Sequence, residues 1–247
     1  ILCNSAEDPE REKRNLKMLQ SQRADGIILM PTRQSWPGRV GVLSNLTMPR
    51  LLVDRLLDGL ETDSVTIDNT LAGRLAAEHL LALGHRRVGL IMGSPEHQIA
   101  RHRLDGFRDA FAAAGAPIEA RFLERNAFDE AAARAAAHRL LAAPDRPSAV
   151  FATNNHLALG LLGAIAETDL EVPRDLSVIT IDDLPWSRIM RPGLTVVMQP
   201  TEAIADAAVT TLLARIAAPD ATEGDTAIVL EPYLVERGST AAPGAAA

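Results

Sequence analysis

Two adjacent carboxylates, Asp182 and Asp183, close an apolar run at residues 176–183, in which Leu176, Val178, Ile179 and Ile181 supply the hydrophobic side chains. Such a run has the pattern of a strand buried on both faces of a parallel sheet. In open α/β sheets, ligands sit beyond the carboxyl ends of the strands, so an acidic pair at that point is a candidate binding site. A turn that caps the next segment explains the same two residues equally well, because aspartate is a common turn former.

The elements that would position this pair follow one another with a steady rhythm. Asp8, Pro9, Glu10 and Glu12 sign the start of a helix ending near Gln22. Strands are expected at Ile1 to Cys3, Gly26 to Met30, Arg50 to Val53 and Val65 to Ile67. Asn69 or Thr70 is the expected cap of the next helix, which Gly84 ends, with His85, Arg86 and Arg87 as capping charges. Strands near Val88, Arg121 and Ala149 then alternate with helices at 101–114, 129–141 and 154–166. Repeated strand and helix mean a doubly wound parallel sheet. Beyond Pro200 a further amphipathic helix, 201–216, precedes two short strands.

At 247 residues the chain suits one large α/β domain or two smaller lobes, and its 47% apolar and 23% charged content is that of a folded globular protein. A formal net charge of −7 argues against polyanion binding by this stretch itself. Single Cys3 excludes a disulfide framework and a thiolate metal cluster, and no apolar run reaches the roughly 20 residues of a membrane span. Catalytic patterns fail in turn. No phosphate loop or dinucleotide fingerprint follows a strand, Gly93-Ser94-Pro95 is not a nucleophile elbow, and the histidine spacings do not suit a helical zinc site. Polar residues at strand ends without reactive partners are the expected make-up of a binding cleft. No enzyme activity, cofactor or metal is expected.

Several stretches resemble the effector-binding core of the LacI/GalR family of bacterial transcriptional regulators. They are LLVDR (51–55), VTIDNTLAGRLAAEHLLALGHRRVGLIMG (65–93), RLDGFRDAFAAAG (103–115), VFATNNHLALG (150–160), VPRDLSVITIDD (172–183), RPGLTVVMQP (191–200) and LVERGST (234–240). The resemblance implies two α/β subdomains of type I periplasmic-binding-protein form joined by three crossovers, with a small, sugar-like effector in the interlobe cleft. It assigns 1–67 plus 201–230 to the N-terminal subdomain and 68–200 plus 231–240 to the C-terminal one, while the Ala/Gly/Pro composition of 241–247 is that expected of a disordered tail. Because the chain opens at Ile1 without Met, it is expected to lack the first strand and helix of the core, as well as the N-terminal helix-turn-helix that contacts operator DNA. Effector contacts carried over by position are Asp54, Arg103, Phe128, Asn154, Asp182 and Gln199. Asp183 is left to the loop, and Trp186 to the cleft rim or a partner surface. The family further implies a cytoplasmic homodimer whose operator affinity the effector alters. A periplasmic sugar-binding protein feeding a transporter is the alternative.

Overall fold

A computed structural model describes residues 1–125, 129–218 and 224–244. The first passage of the chain holds α1 (Pro9–Ser21), β1 (Ile27–Leu29), α2 (Arg39–Ser44), β2 (Arg50–Val53) and β3 (Asp63–Ile67). Next come α3 (Asn69–Ala82), β4 (Val88–Ile91), α4 (Gln98–Ala113), β5 (Leu123–Glu124), α5 (Glu130–Leu141), β6 (Ala149–Ala152), α6 (Asn155–Ile165), β7 (Ser177–Ile181), α7 (Pro185–Ile189) and β8 (Thr195–Met198). The chain ends with α8 (Thr201–Ala217), β9 (Ala227–Leu230) and β10 (Tyr233–Val235). Two compact units result, Ile1–Ile67 with Pro200–Leu230, and Asp68–Gln199 with Glu231–Ala247, so the chain passes between them three times.

The first unit is built on a parallel sheet of order β1-β2-β3-β9. Its register sends Leu51 and Val65 to one face, where they pack with Ala208 and Ile204 of α8. Ile27 and Leu29 turn instead to Leu16 of α1, Trp36 and Leu43 of α2. A buried carboxylate organises the loop after β1. Glu12, 1% exposed, accepts from the Thr32 amide at 2.5 Å and Trp36 Nε1 at 3.0 Å, and pairs with Arg39 Nε at 2.9 Å. The expected strand at Ile1 to Cys3 does not form: no ladder reaches these residues among those described, and Ile1 and Leu2 are 85% and 99% exposed. Extended backbone needs a neighbour to take its hydrogen bonds, and the described sheet ends at β1.

The second unit carries a six-stranded sheet of order β10-β8-β7-β6-β4-β5, parallel except for β10. Alternation along β6 separates two layers. Val150 and Ala152 face Ala133, Ala137, Leu157 and Leu161 of α5 and α6, whereas Phe151 stacks on Phe107 of α4 at 4.9 Å between ring centres. Trp186 is half-buried and packs against the core that α5 and α6 share. Glycines allow the helix pairs to meet backbone to backbone. A Cβ on Gly73 of α3 would lie 2.0 Å from the Arg103 carbonyl oxygen, and one on Gly106 of α4 1.9 Å from that of Thr70.

The tail expected to be disordered from Ala241 is tied down at its start. His85 Nε2 donates to the Ala241 carbonyl at 2.9 Å, and the Ser177 hydroxyl does so at 3.1 Å. His85 Nδ1 meets Ser148 Oγ, and His79 Nε2 lies 2.8 Å from Thr240 Oγ1. His85 is therefore more than a capping charge. Burial holds both imidazoles below their ordinary value of 6.5, with Glu236 acting in the opposite direction on His79 and the Ala241 carbonyl on His85. The unfolded chain then binds more protons on acidification, so stability falls as pH drops below about 6.5. Urea midpoints should decline between about pH 7 and 5, and less in the double variant His79→Gln/His85→Gln. An equal decline in wild type and variant would remove this role.

Candidate functional site

In the second unit β4 and β6 are neighbours, yet the chain leaves β4 outward to β5 and returns past it to β6. This reversal is the topological switch point where doubly wound sheets open a crevice at their carboxyl ends. Thr153 and Asn154 end β6 there, Asp182 ends β7, and Gln199 ends β8.

Asp182 adopts φ 81°, a left-handed conformation that an aspartate tolerates better than most residues but not without cost. Its amide still donates to Val197 O at 3.0 Å, so the strand ladder continues to the turning residue. Gln199 Nε2 donates to Asp182 Oδ1 at 2.6 Å, bringing two of the expected contact residues together. The bond orients the carboxylate from one oxygen and leaves its chemistry that of an acceptor for hydroxyl or N–H groups.

Asn154 is the N-cap of α6, its side-chain oxygen accepting from the Leu157 amide at 3.0 Å. With the carbonyl so committed, the amide NH₂ is the group suited to a ligand acceptor. Arg103 lies on α4 and is only 5% exposed. Its Nη1 donates to the Thr153 carbonyl at 2.6 Å and its Nε to Asn69 Oδ1 at 2.8 Å. An arginine in α4 is thus drawn to the end of β6, beside Asn154. Asp54 ends β2 of the first unit, again left-handed at φ 65°, with its amide on Val65 O and its carboxylate 3.7 Å from Arg55 Nε. Phe128 lies outside the described residues.

Asp183 turns away from its neighbour and becomes a structural clamp. Its side chain is 2% exposed and takes Arg237 through both Nη atoms at 2.8 Å, Arg188 Nε at 2.8 Å and Ser187 Oγ at 2.7 Å. Burial pushes this carboxyl up, but Arg237, Ser187 and Arg188 outweigh it and hold it below the ordinary carboxylate range. The residue that sequence reasoning missed is Asn69. Its expected role as cap belongs to Asp68, whose side chain accepts from the Leu71 amide at 2.8 Å. Only a second polar residue directly after a capping aspartate hinted at another task.

Breaking a buried, bidentate pair leaves an uncompensated charge, so Asp183→Ala should destabilise the second unit by about 3–5 kcal/mol, while Asp183→Asn, which keeps hydrogen-bonding atoms, should cost less. Chemical denaturation checks both. Indistinguishable stabilities for wild type and Asp183→Ala would refute the clamp.

Comparisons with known proteins agree with this fold. Residues 77–240 match the model of a periplasmic binding protein-like domain. The ribose operon repressor of Escherichia coli (strain K12) is 34% identical over 239 residues, covering 97% of this chain and 72% of that protein. Among solved structures, the complex of the transcriptional regulator CelR with cellobiose superposes with a TM-score of 0.82 at 30% identity, covering 93% of this chain and 70% of that one. The regulator CcpA of Lactococcus lactis gives 0.86 at 27%, covering 97% and 87%.

Proposed function

Since the chain belongs to the LacI/GalR family of bacterial transcriptional regulators, we propose that it senses a pentose of the ribose type and passes that signal to operator binding. The observation that carries this reading is the strand-end cluster of the second unit. Asp182 offers an oriented carboxylate, Gln199 and Asn154 offer amides, and Arg103 offers a guanidinium drawn to the β6 end. Vicinal ring hydroxyls both donate and accept, so an acceptor flanked by amide and guanidinium donors suits a polyol better than an apolar or purely anionic ligand. The 34% identity to a ribose operon repressor favours a pentose within that class.

In this reading Asp182 accepts from hydroxyl groups, Arg103 and Asn154 donate, and Gln199 both orients Asp182 and contacts the sugar. Nothing reacts. The ligand acts by binding one arrangement of the protein better than another, and the difference in its affinities is the free energy available to change operator affinity. A homodimer holding two DNA-reading heads would deliver that change to DNA, and such a protein works in the cytoplasm. The transport alternative is not favoured, because the relatives in hand are repressors and regulators. No helix among the described residues is long and apolar enough to cross a membrane.

Titration calorimetry with D-ribose, D-glucose, cellobiose and hypoxanthine tests the proposal. Ribose should bind, and Asp182→Ala should weaken it roughly 10- to 150-fold, the effect of losing hydrogen bonds to a charged acceptor. Binding of hypoxanthine in place of any sugar would discard the pentose reading. Unchanged ribose affinity in Asp182→Ala would discard the site.

A further inference from the structure

The Arg103 guanidinium can serve a ligand only if its plane is held, and the structure shows what holds it. A guanidinium is a rigid planar fork, so two bonds to different edges fix both the position and the tilt of the plane. One bond is to the Thr153 carbonyl, which the β6 end places independently of side-chain identity. Another runs from Nε to Asn69 Oδ1 at 2.8 Å, between two residues only 6% and 5% exposed. Asn69 stands in the first turn of α3, directly after Asp68, where the chain has just crossed from the first unit. Since Asp68 performs the capping, the Asn69 oxygen is not required by the helix end.

The two helices are brought into register for this contact by the reciprocal glycines. Gly73 admits the Arg103 carbonyl and Gly106 admits that of Thr70, so the α3 turn bearing Asn69 and the α4 turn bearing Arg103 meet without intervening side chains. Larger residues would force the backbones apart and lengthen the Asn69–Arg103 bond.

We propose that Asn69 is a positioning residue, which acts on the effector through Arg103 and ties that arginine to the segment crossing between the units. This rests on the reading of Arg103 as an effector contact. Loss of the acceptor leaves a buried Nε–H without it, and the fork then tilts toward whatever partner it can find. A misplaced donor weakens binding even though the arginine is still present.

A double-mutant cycle separates positioning from general support. In the wild-type background Asn69→Leu should weaken ribose binding about tenfold, and Asn69→Asp, which keeps an oxygen for Nε, should restore most of it. In an Arg103→Ala background Asn69→Leu should change binding less than about twofold, since the group it positions is gone. Arg103→Lys, which has no Nε–H, supplies a second background should Arg103→Ala fail to fold. A ligand-free readout runs alongside: the Arg103 Nε–H signal in ¹⁵N NMR should exchange slowly in wild type and Asn69→Asp and rapidly in Asn69→Leu. Equal losses of affinity in both backgrounds, or a slowly exchanging Nε–H in Asn69→Leu, would overturn the proposal. Absence of ribose binding in wild type would instead count against the pentose reading, with the Nε–H exchange still deciding the role of Asn69.

Discussion

The second unit depends on an ion pair made late in the chain. The polypeptide leaves this unit at Gln199 and re-enters it at Glu231, so the sheet that began at Val88 is completed by residues nearly 150 positions later in the chain. Three residues of β10 make a short ladder with β8, and the bidentate Arg237–Asp183 pair fastens the returning segment to the end of β7. Ser239 adds a bond to each of two strands, accepting from the Thr195 amide and donating to the Val178 carbonyl. His79 and His85 then hold Thr240 and Ala241. Residues 237–241 are therefore tied into the unit, with Ser239 buried and Arg237 and Thr240 half-buried.

The same clamp bears on the site. Asp182 and Asp183 are consecutive, and fixing the second between Arg237, Arg188 and Ser187 constrains the backbone of the first in its left-handed conformation. Such a conformation costs of order 1 kcal/mol and persists where the surroundings over-determine it. Asp54 at the end of β2 shows the same departure. Two carboxylates at strand ends, each with φ well above zero, are a recurrent device: the backbone turns sharply enough to stop the ladder and aim a short acidic side chain away from it.

Much of the architecture was legible because local physics dictated it. Asp8 before Pro9, Gly84 after α3 at φ 94° and the buried runs at 88–91, 149–152 and 177–181 all became the boundaries and strands their patterns implied. Departures occurred where a partner far along the chain, or the lack of one, was decisive. Ile1 to Cys3 has the composition of a strand but joins no ladder among the described residues, and α7 lies in a stretch too short for any periodicity to announce it. At residues 68–70 three polar side chains compete for one cap, and only the geometry shows that Asp68 takes it.

Residue types and their order by themselves determined the doubly wound class and the placing of Asp182 and Asn154 at a strand end and a helix start, since these follow from periodicity and short-range spacing, while the quoted motifs carried the family likeness and, through it, Gln199. Without the family likeness they left Asp182 and Asp183 equivalent and Arg103 as an ordinary helical arginine, and with it they still left Asn69 as one of two candidate caps. Tertiary structure separated these by supplying partners 17, 34, 50 and 54 residues away, namely Gln199 for Asp182, Asn69 and Thr153 for Arg103, and Arg237 for Asp183. A hydrogen bond acts over about 3 Å of space whatever the separation along the chain. Which of two adjacent carboxylates becomes a clamp and which remains presented at a strand end is therefore settled only when the sheet has been assembled around them.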